Sequence, residues 1–171
     1  MIRVGLGIDF HRFAPGRRLI LGGVEVPYER GLTGHSDADV LSHAICDALL
    51  GAAGLGDIGQ HFPDTDPKFK GISSLVLLRE VREMVRARNH RINNIDATIV
   101  AQEPRLAPYL PAMADQLAAA LQIDRGMINI KATTPEGLGA LGRGEGMAAY
   151  AMATLLAAEE PEDVVVSDEE H

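Results

Sequence analysis

Tryptophan is absent from the 171 residues, cysteine occurs once, and aromatic side chains amount to only 4%. A single thiol, Cys46, excludes an intrachain disulfide, and its place in an apolar helical pattern points to a buried, inert sulfur in a reducing compartment. A basic stripe is missing too: 16 Lys and Arg stand against 24 Asp and Glu, a net charge of -8. Such a chain lacks the electrostatic footprint of a nucleic-acid binder and would be repelled by anionic membrane surfaces. No apolar run reaches the ~18 residues of a membrane span, and Met1-Ile2-Arg3 leads into a strand-like pattern without a charged and apolar leader. These absences point to a soluble cytoplasmic protein with no nucleic-acid and no membrane partner.

The negative charge is unevenly placed. From Ala158 to His171 there are seven acids and no Lys or Arg, so residues 1–157 carry 17 acids (24 less 7) against 16 bases. The body is nearly neutral, and its length suits one domain that buries roughly 70% of its unfolded surface. Residues 158–171 read as an acidic, disordered tail whose like charges repel, although Val164-Val165-Val166 could dock locally.

Within the body, residues 2–11 alternate, with Val4, Leu6, Ile8 and Phe10 on one side and Gly5, Gly7, Asp9 and His11 on the other. That pattern predicts a strand with one apolar face. Gly22-Gly23 between apolar stretches predicts a hairpin over 18–27. A helix follows over 37–53, with Ser36 or Asp37 as N-cap and a stripe of Leu41, Ala44, Ile45, Ala48, Leu49 and Ala52. Residues 54–71 read as a long functional loop, 73–88 as a helix, 94–101 as a strand, 108–121 as a helix and 127–132 as a strand. The last segment, 145–158, reads as a helix with Met147, Tyr150, Ala151, Thr154 and Leu155 at helical spacing. Alternating strands and helices predict an α/β sandwich, helices on a sheet.

Asp9 and His11 project from one strand face, their Cα atoms ~7 Å apart, and Gly7 beside them is expected to leave that face open. His43 lies opposite the apolar stripe of its helix, with Asp39 and Asp47 one turn away on either side. Together Asp9, His11 and His43 would offer one oxygen and two nitrogens, a set that suits Zn²⁺ and leaves a fourth position open. Asp47 could orient the His43 ring. A D-x-H tripeptide and a helical histidine are also common on plain surfaces, so spacing alone leaves both readings open. His35 and Ser36 precede a helix N terminus, either as part of an anion site or as ordinary capping. Lys131 to Glu136 offers a cation, hydroxyls and a carboxylate that could hold a diphosphate with Mg²⁺, or simply forms a turn. Gly142-Arg143-Gly144-Glu145-Gly146 could approach a phosphate but is no Walker or Rossmann fingerprint. Asp57, Asp64 and Asp66 could grip polyol hydroxyls. Nucleophilic Ser/His/Asp or Cys/His signatures are lacking, which favours a substrate that brings its own nucleophile.

Four stretches together, GIDFHRF (7–13), GHSDADVLSHAICDALLGAAGLGDIGQHFPDTDPKFKG (34–71), AQEPRLAPY (101–109) and INIKATTPEGLGALGRGEG (128–146), closely resemble the 2-C-methyl-D-erythritol 2,4-cyclodiphosphate synthases. The resemblance spans nearly all of 1–157. It implies a single α+β domain with a mixed sheet, helices on one face, and a homotrimer with its sheets around the central axis. By the same resemblance Asp9, His11 and His43 are zinc ligands, Glu136 holds an Mg²⁺ or Mn²⁺ that bridges the substrate phosphates, and His35 and Thr134 are catalytic, stabilising phosphate charge. Ser36, Asp57, Ile58, Gly59, Phe62, Pro63, Asp64, Thr65 and Asp66 fall around the erythritol and its phosphates. Ala101, Gln102, Glu103, Pro104, Arg105, Leu106 and Ala107, with Thr133 and Thr134, fall on the cytidine pocket, and Pro135 and Arg143 are further substrate-binding positions. Arg143 and Glu145 fall near the trimer axis, where an isoprenoid diphosphate binds in some members.

The implied reaction is attack of a 2-phosphate on the β-phosphate of a cytidine diphosphate-linked polyol, with release of CMP. Ala140-Leu141 depart from a common Phe-Thr, Arg105 replaces a usual Lys, and Pro135 removes a backbone donor. A zinc-dependent phosphohydrolase and a non-catalytic trimeric binding module are the other readings.

Overall fold

The structure, a computed structural model, describes residues 1–158. The disordered tail expected over 158–171 therefore lies, beyond its first residue, outside the described residues. The chain runs β1 (Ile2–Pro15), β2 (Leu19–Leu21), β3 (Val24–Val26), β4 (Arg30–Leu32), α1 (Val40–Ala53), α2 (Ile58–His61), α3 (Ser74–Ala87), β5 (His90–Val100), α4 (Leu110–Leu121), β6 (Ile128–Thr133), α5 (Gly139–Gly142) and β7 (Gly146–Ala157). Five strands form one sheet in the order β4-β1-β7-β5-β6, and β2-β3 form a small hairpin. The β5–β6 pair is parallel and the other pairs are antiparallel, so the sheet is mixed. Helix α1 packs across β1 and β7, with α3 against α1 and α4 against α3 and β6. This is the α+β arrangement the resemblance implied, with helices on one face. Among the described residues no helix is long and apolar enough to cross a membrane.

The first correction concerns which face of β1 turns inward. Val4, Leu6, Ile8 and Phe10 are exposed, while Gly5 and Gly7 are buried against α1. A Cβ built at Gly7 would lie 1.8 Å from the Ala44 carbonyl oxygen, and one at Gly5 would lie 1.9 Å from that of Ala48. The helix can come this close only where the strand has no side chain. The Gly7 face is thus closed by α1, and that approach carries His43 toward Asp9 and His11.

A second correction is larger: the expected helix over 145–158 is β7, the middle strand, hydrogen-bonded along β1 on one edge and β5 on the other. Met147, Ala149, Ala151, Ala153 and Leu155 face the helices, and Tyr150 and Met152 face outward. Alanine fits either state, so its high helix propensity is overridden by two edges of backbone pairing.

The start of α1 is also revised. Its N-cap is Asp39, whose buried carboxylate accepts from the Ser42 amide (3.0 Å) and hydroxyl (2.7 Å) and from the Gly22 and Gly23 amides of the hairpin turn (2.9 and 2.8 Å). Burial and the charge of Asp37 push its pKa up, against the pull of these donors. The carboxylate occupies the place an external anion would take at this helix end. Asp37 instead accepts from the Ser74 amide at 3.1 Å and so closes the start of α3, whose own N-cap Ser73 makes no side-chain cap bond. The loop over 54–71 contains α2 and a short 3₁₀ turn, capped by the side chains of Asp57 and Asp66.

Candidate active site

Alternation along β1 puts Asp9 and His11 on the side that meets α1, and His43 descends from the helix onto them. Asp9 Oδ2 lies 2.8 Å from His11 Nε2 and 3.2 Å from His43 Nδ1, and the two nitrogens are 3.2 Å apart. Each outer nitrogen is fixed by its own partner. His11 Nδ1 donates to the Thr33 carbonyl at 2.7 Å, which leaves the Nε2 lone pair facing inward. The Ser74 hydroxyl donates to Asp37 Oδ1, so at 2.8 Å from His43 Nε2 it must accept, and His43 Nδ1 is left bare. Ser36 Oγ, 3.1 Å from the same Nε2, accepts from the Ala38 amide.

Asp9 Oδ2 is buried without a partner of hydrogen-bond geometry among the described residues. Three potential donor atoms converge on one point, and these are the residues that could hold a metal ion together. The donor set, one carboxylate oxygen and two imidazole nitrogens, fits a divalent ion of the borderline kind. Burial works to raise the Asp9 pKa, but the two imidazoles beside it prevail and leave it below the ordinary carboxylate value. For His11 burial works downward, and the close contact with the Asp9 carboxylate and its charge, helped by the Thr33 carbonyl, leave it raised. The expected orienting role of Asp47 is not found: its carboxylate accepts from the Ile58 amide at 2.7 Å, and burial raises its pKa against that bond. Ser74 takes the place beside His43.

A cavity of about 460 Å³ opens from the triad, lined by His11, His35, Ser36 and His43 and by Ile58, Gly59, Phe62, Pro63, Asp64 and Thr65. The His35 ring sits at its edge, with Nε2 2.9 Å from the Asp66 carbonyl. Asp57 and Asp66 spend their carboxylates on helix caps, accepting from the Gln60 and Lys68 amides.

A second cavity, about 690 Å³, lies where β5 and β6 end. It is lined by Ala101, Gln102, Glu103, Pro104, Arg105, Leu106, Ala107, Ala132, Thr133 and Thr134, with Tyr28, which the sequence reading missed. The two cavities share no lining residue. Glu136 stands in the turn after the second cavity with a left-handed backbone (φ 56°), apart from the triad. Pro135 precedes it, and Gly137 is tied to Gln102 by a 2.9 Å bond. Arg143 pairs with Glu145 at 2.9 Å on an exposed turn and lines neither cavity. Lys131, offered as a phosphate-binding cation, is instead held by Asp96 at 2.7 Å, and Lys131 and Asn129 pull the Asp96 pKa down. Thr33, Ser74 and Tyr28 carry no local sequence signal. Each matters through a contact made across the fold.

Fold and site define a small α+β protein with a cluster of one carboxylate and two imidazoles that could hold a metal ion. The chain belongs to the YgbB family, whose model matches residues 2–156. It is 62% identical over 154 residues to the protein of Syntrophobacter fumaroxidans named 2-C-methyl-D-erythritol 2,4-cyclodiphosphate synthase, covering 90% of this chain and 97% of that one. Among solved structures it resembles the bifunctional IspDF of Campylobacter jejuni, with a TM-score of 0.90 and 45% identity over 93% of this chain, which corresponds to 43% of that longer protein. It also resembles IspF of Plasmodium falciparum in complex with CDP, with a TM-score of 0.81 and 31% identity, covering 92% of this chain and 97% of that one.

Proposed function

We propose that this protein converts 4-diphosphocytidyl-2-C-methyl-D-erythritol 2-phosphate into 2-C-methyl-D-erythritol 2,4-cyclodiphosphate and CMP, a phosphorus–oxygen lyase of the non-mevalonate route to isoprenoid precursors. The observation that carries this reading is the convergence of Asp9 Oδ2, His11 Nε2 and His43 Nδ1 beside the His35 cavity, in a chain of this family. An oxygen of the 2-phosphate attacks the β-phosphorus, the bond from that phosphorus to the oxygen bridging the α-phosphate breaks, and CMP leaves with the bonding electrons. The substrate supplies both nucleophile and leaving group, so the protein must position them and offset charge.

Asp9, His11 and His43 would hold Zn²⁺, and Glu136 would hold an Mg²⁺ or Mn²⁺ that offsets phosphate charge. Such cations, when bound, polarise phosphate oxygens and neutralise charge as it shifts. His35, which lines the cavity, and Thr134 would donate to phosphate oxygens. Asp57, Asp64 and the 62–66 segment fold the polyol into an attacking pose, a contribution of up to ~7–11 kcal/mol in favourable intramolecular reactions. The 101–107 cavity with Thr133 and Thr134 takes the cytidine, and the CDP complex of the Plasmodium falciparum relative supports a cytidine nucleotide as ligand.

Because the two cavities are separate within one chain, a second copy would complete the site. The exposed apolar strip of β1 and β7, from Ile2 to Phe10 and through Tyr150 and Met152, suits burial in a homotrimer. An axis lined by Arg143 and Glu145 would then take an isoprenoid diphosphate. A single buried thiol agrees with a reducing cytoplasm.

The test is direct. With Mg²⁺ and Zn²⁺ the purified protein should release CMP in step with cyclic diphosphate, followed by phosphorus NMR, and Asp9→Ala should nearly abolish both. CMP without the cyclic product means hydrolysis and overturns the reading.

A further inference from the structure

At the end of the sheet opposite the 101–107 cavity, a third cavity of about 250 Å³ is rimmed by Arg82, Arg86, His90 and Arg91 over a floor that includes Ile92 and Leu121. Two guanidiniums share one carboxylate: Arg82 Nε and Arg86 Nη1 lie 2.7 and 3.2 Å from Glu83 Oε1. Among the described residues Arg91 has no ion-pair partner, and His90 Nδ1 is buried with no hydrogen-bond partner. The local acids, Glu83 and Asp124, are already engaged, Asp124 with the Gly126 amide at 2.8 Å. A cationic rim, an apolar floor and a buried orphaned nitrogen together ask for an anionic partner with an apolar element.

The chain itself leads such a partner to this place. Ala157 pairs with His90 in the sheet, and the Ala158 amide donates to the Asn89 carbonyl at 2.8 Å. The described chain therefore ends beside the cavity, and thirteen residues follow in the sequence. They carry Glu159, Glu160, Glu162 and Asp163, then Val164-Val165-Val166, then three more acids, with no Lys or Arg. Six residues from Ala158 reach up to roughly 20 Å, enough to place the valines over the cavity. The family match ends at residue 156, so this segment belongs to the chain and not to the shared catalytic body.

We propose that the acidic C-terminal segment docks intramolecularly on this arginine-rimmed cavity, its carboxylates on Arg86 and Arg91 and its valine triplet over the apolar floor. Tethering makes the contact independent of protein concentration, and its ionic half makes it sensitive to salt. Because it lies at the far end of the sheet, it acts on stability and not on the chemistry.

A nitroxide on Ser167→Cys in the full chain reads the contact, since Cys46 is buried and stays unlabelled. Amide signals of His90–Ile92 and Gln122–Ile123 should broaden at about 10 mM salt and recover near 1 M, where the screening length falls from roughly 30 to 3 Å. Replacing Glu159, Glu160, Glu162 and Asp163 by their amides in the full chain should lower Tm by about 2–4 °C at low salt, the size of shift a modest contact produces in a domain this long. Arg91→Gln should lower Tm in the parent and leave the amide variant unchanged. Additive losses, broadening elsewhere, or none at low salt overturn the proposal. So does inorganic phosphate binding the parent as tightly as the amide variant, which would make the cavity a site for free anions.

Discussion

His43 Nε2 lies 2.8 Å from the Ser74 hydroxyl, which itself donates to Asp37, and this chain of bonds decides which ring nitrogen faces Asp9. Buried Ser74 and half-buried Asp37 thus set the tautomer of a third side chain.

Ser74→Ala removes the acceptor that holds His43 in its working tautomer. Metal affinity should fall by about 10–100-fold, the usual effect of losing such an orienting group, while the circular dichroism spectrum stays that of the parent. Competition against a chelator measures it, and an unchanged affinity would remove Ser74 from the site.

Gly7→Ala and Gly51→Ala separate close approach from glycine's general cost. The first puts a Cβ 1.8 Å from the Ala44 oxygen, so α1 must back away; stability should drop by about 1–3 kcal/mol or more, and metal affinity with it, because His43 adjoins Ala44. At Gly51, exposed within α1, the nearest atom to such a Cβ is 4.0 Å away, and alanine should gain about 0.5–1 kcal/mol. Urea unfolding midpoints give both signs.

The raised pKa of His11 dictates two opposite pH trends. In metal-free protein, protonated His11 beside Asp9 contributes stability that is full below the unfolded value of about 6.5 and lost as pH rises through the folded value. Metal needs the bare Nε2, so affinity should climb with pH across the same window and then level off, with proton release on binding. Calorimetric titration in buffers of different ionisation enthalpy counts that proton. A pH-independent affinity, or no proton released below the folded value, contradicts it.

Leu6→Glu tests the sheet face. Leu6 is 57% exposed on a strip that also holds Val4, Ile8 and Phe10, with Phe10 edge-on to Tyr150. A carboxylate in the middle of that strip should break the proposed trimer into monomers, seen by sedimentation of parent and variant side by side. A trimer that survives the substitution would put the assembly surface elsewhere.

Periodicity and composition made much of this legible. The hairpin at Gly22-Gly23, the stripe of α1, and the spans of α3 and α4 could be read from spacing, because each depends on residues within a few turns of one another, whereas spacing left the Asp9/His11/His43 set open because it joins two distant segments. Where the reading failed, alanine or glycine was involved. The Ala-rich stretch after Gly146 carries a period of two that its small residues conceal, and only pairing with β1 and β5 makes it a strand.

By itself, then, the order of residues determined most of the elements and the near-neutral body with its acidic end, and it marked Asp9, His11 and His43 as candidates for one site. Tertiary structure alone decided which face of β1 turns inward, since a helix can rest on Gly5 and Gly7 but not on Leu6. It also decided which groups orient the histidines, because Thr33 and Ser74 meet His11 and His43 only once four separate segments have packed together.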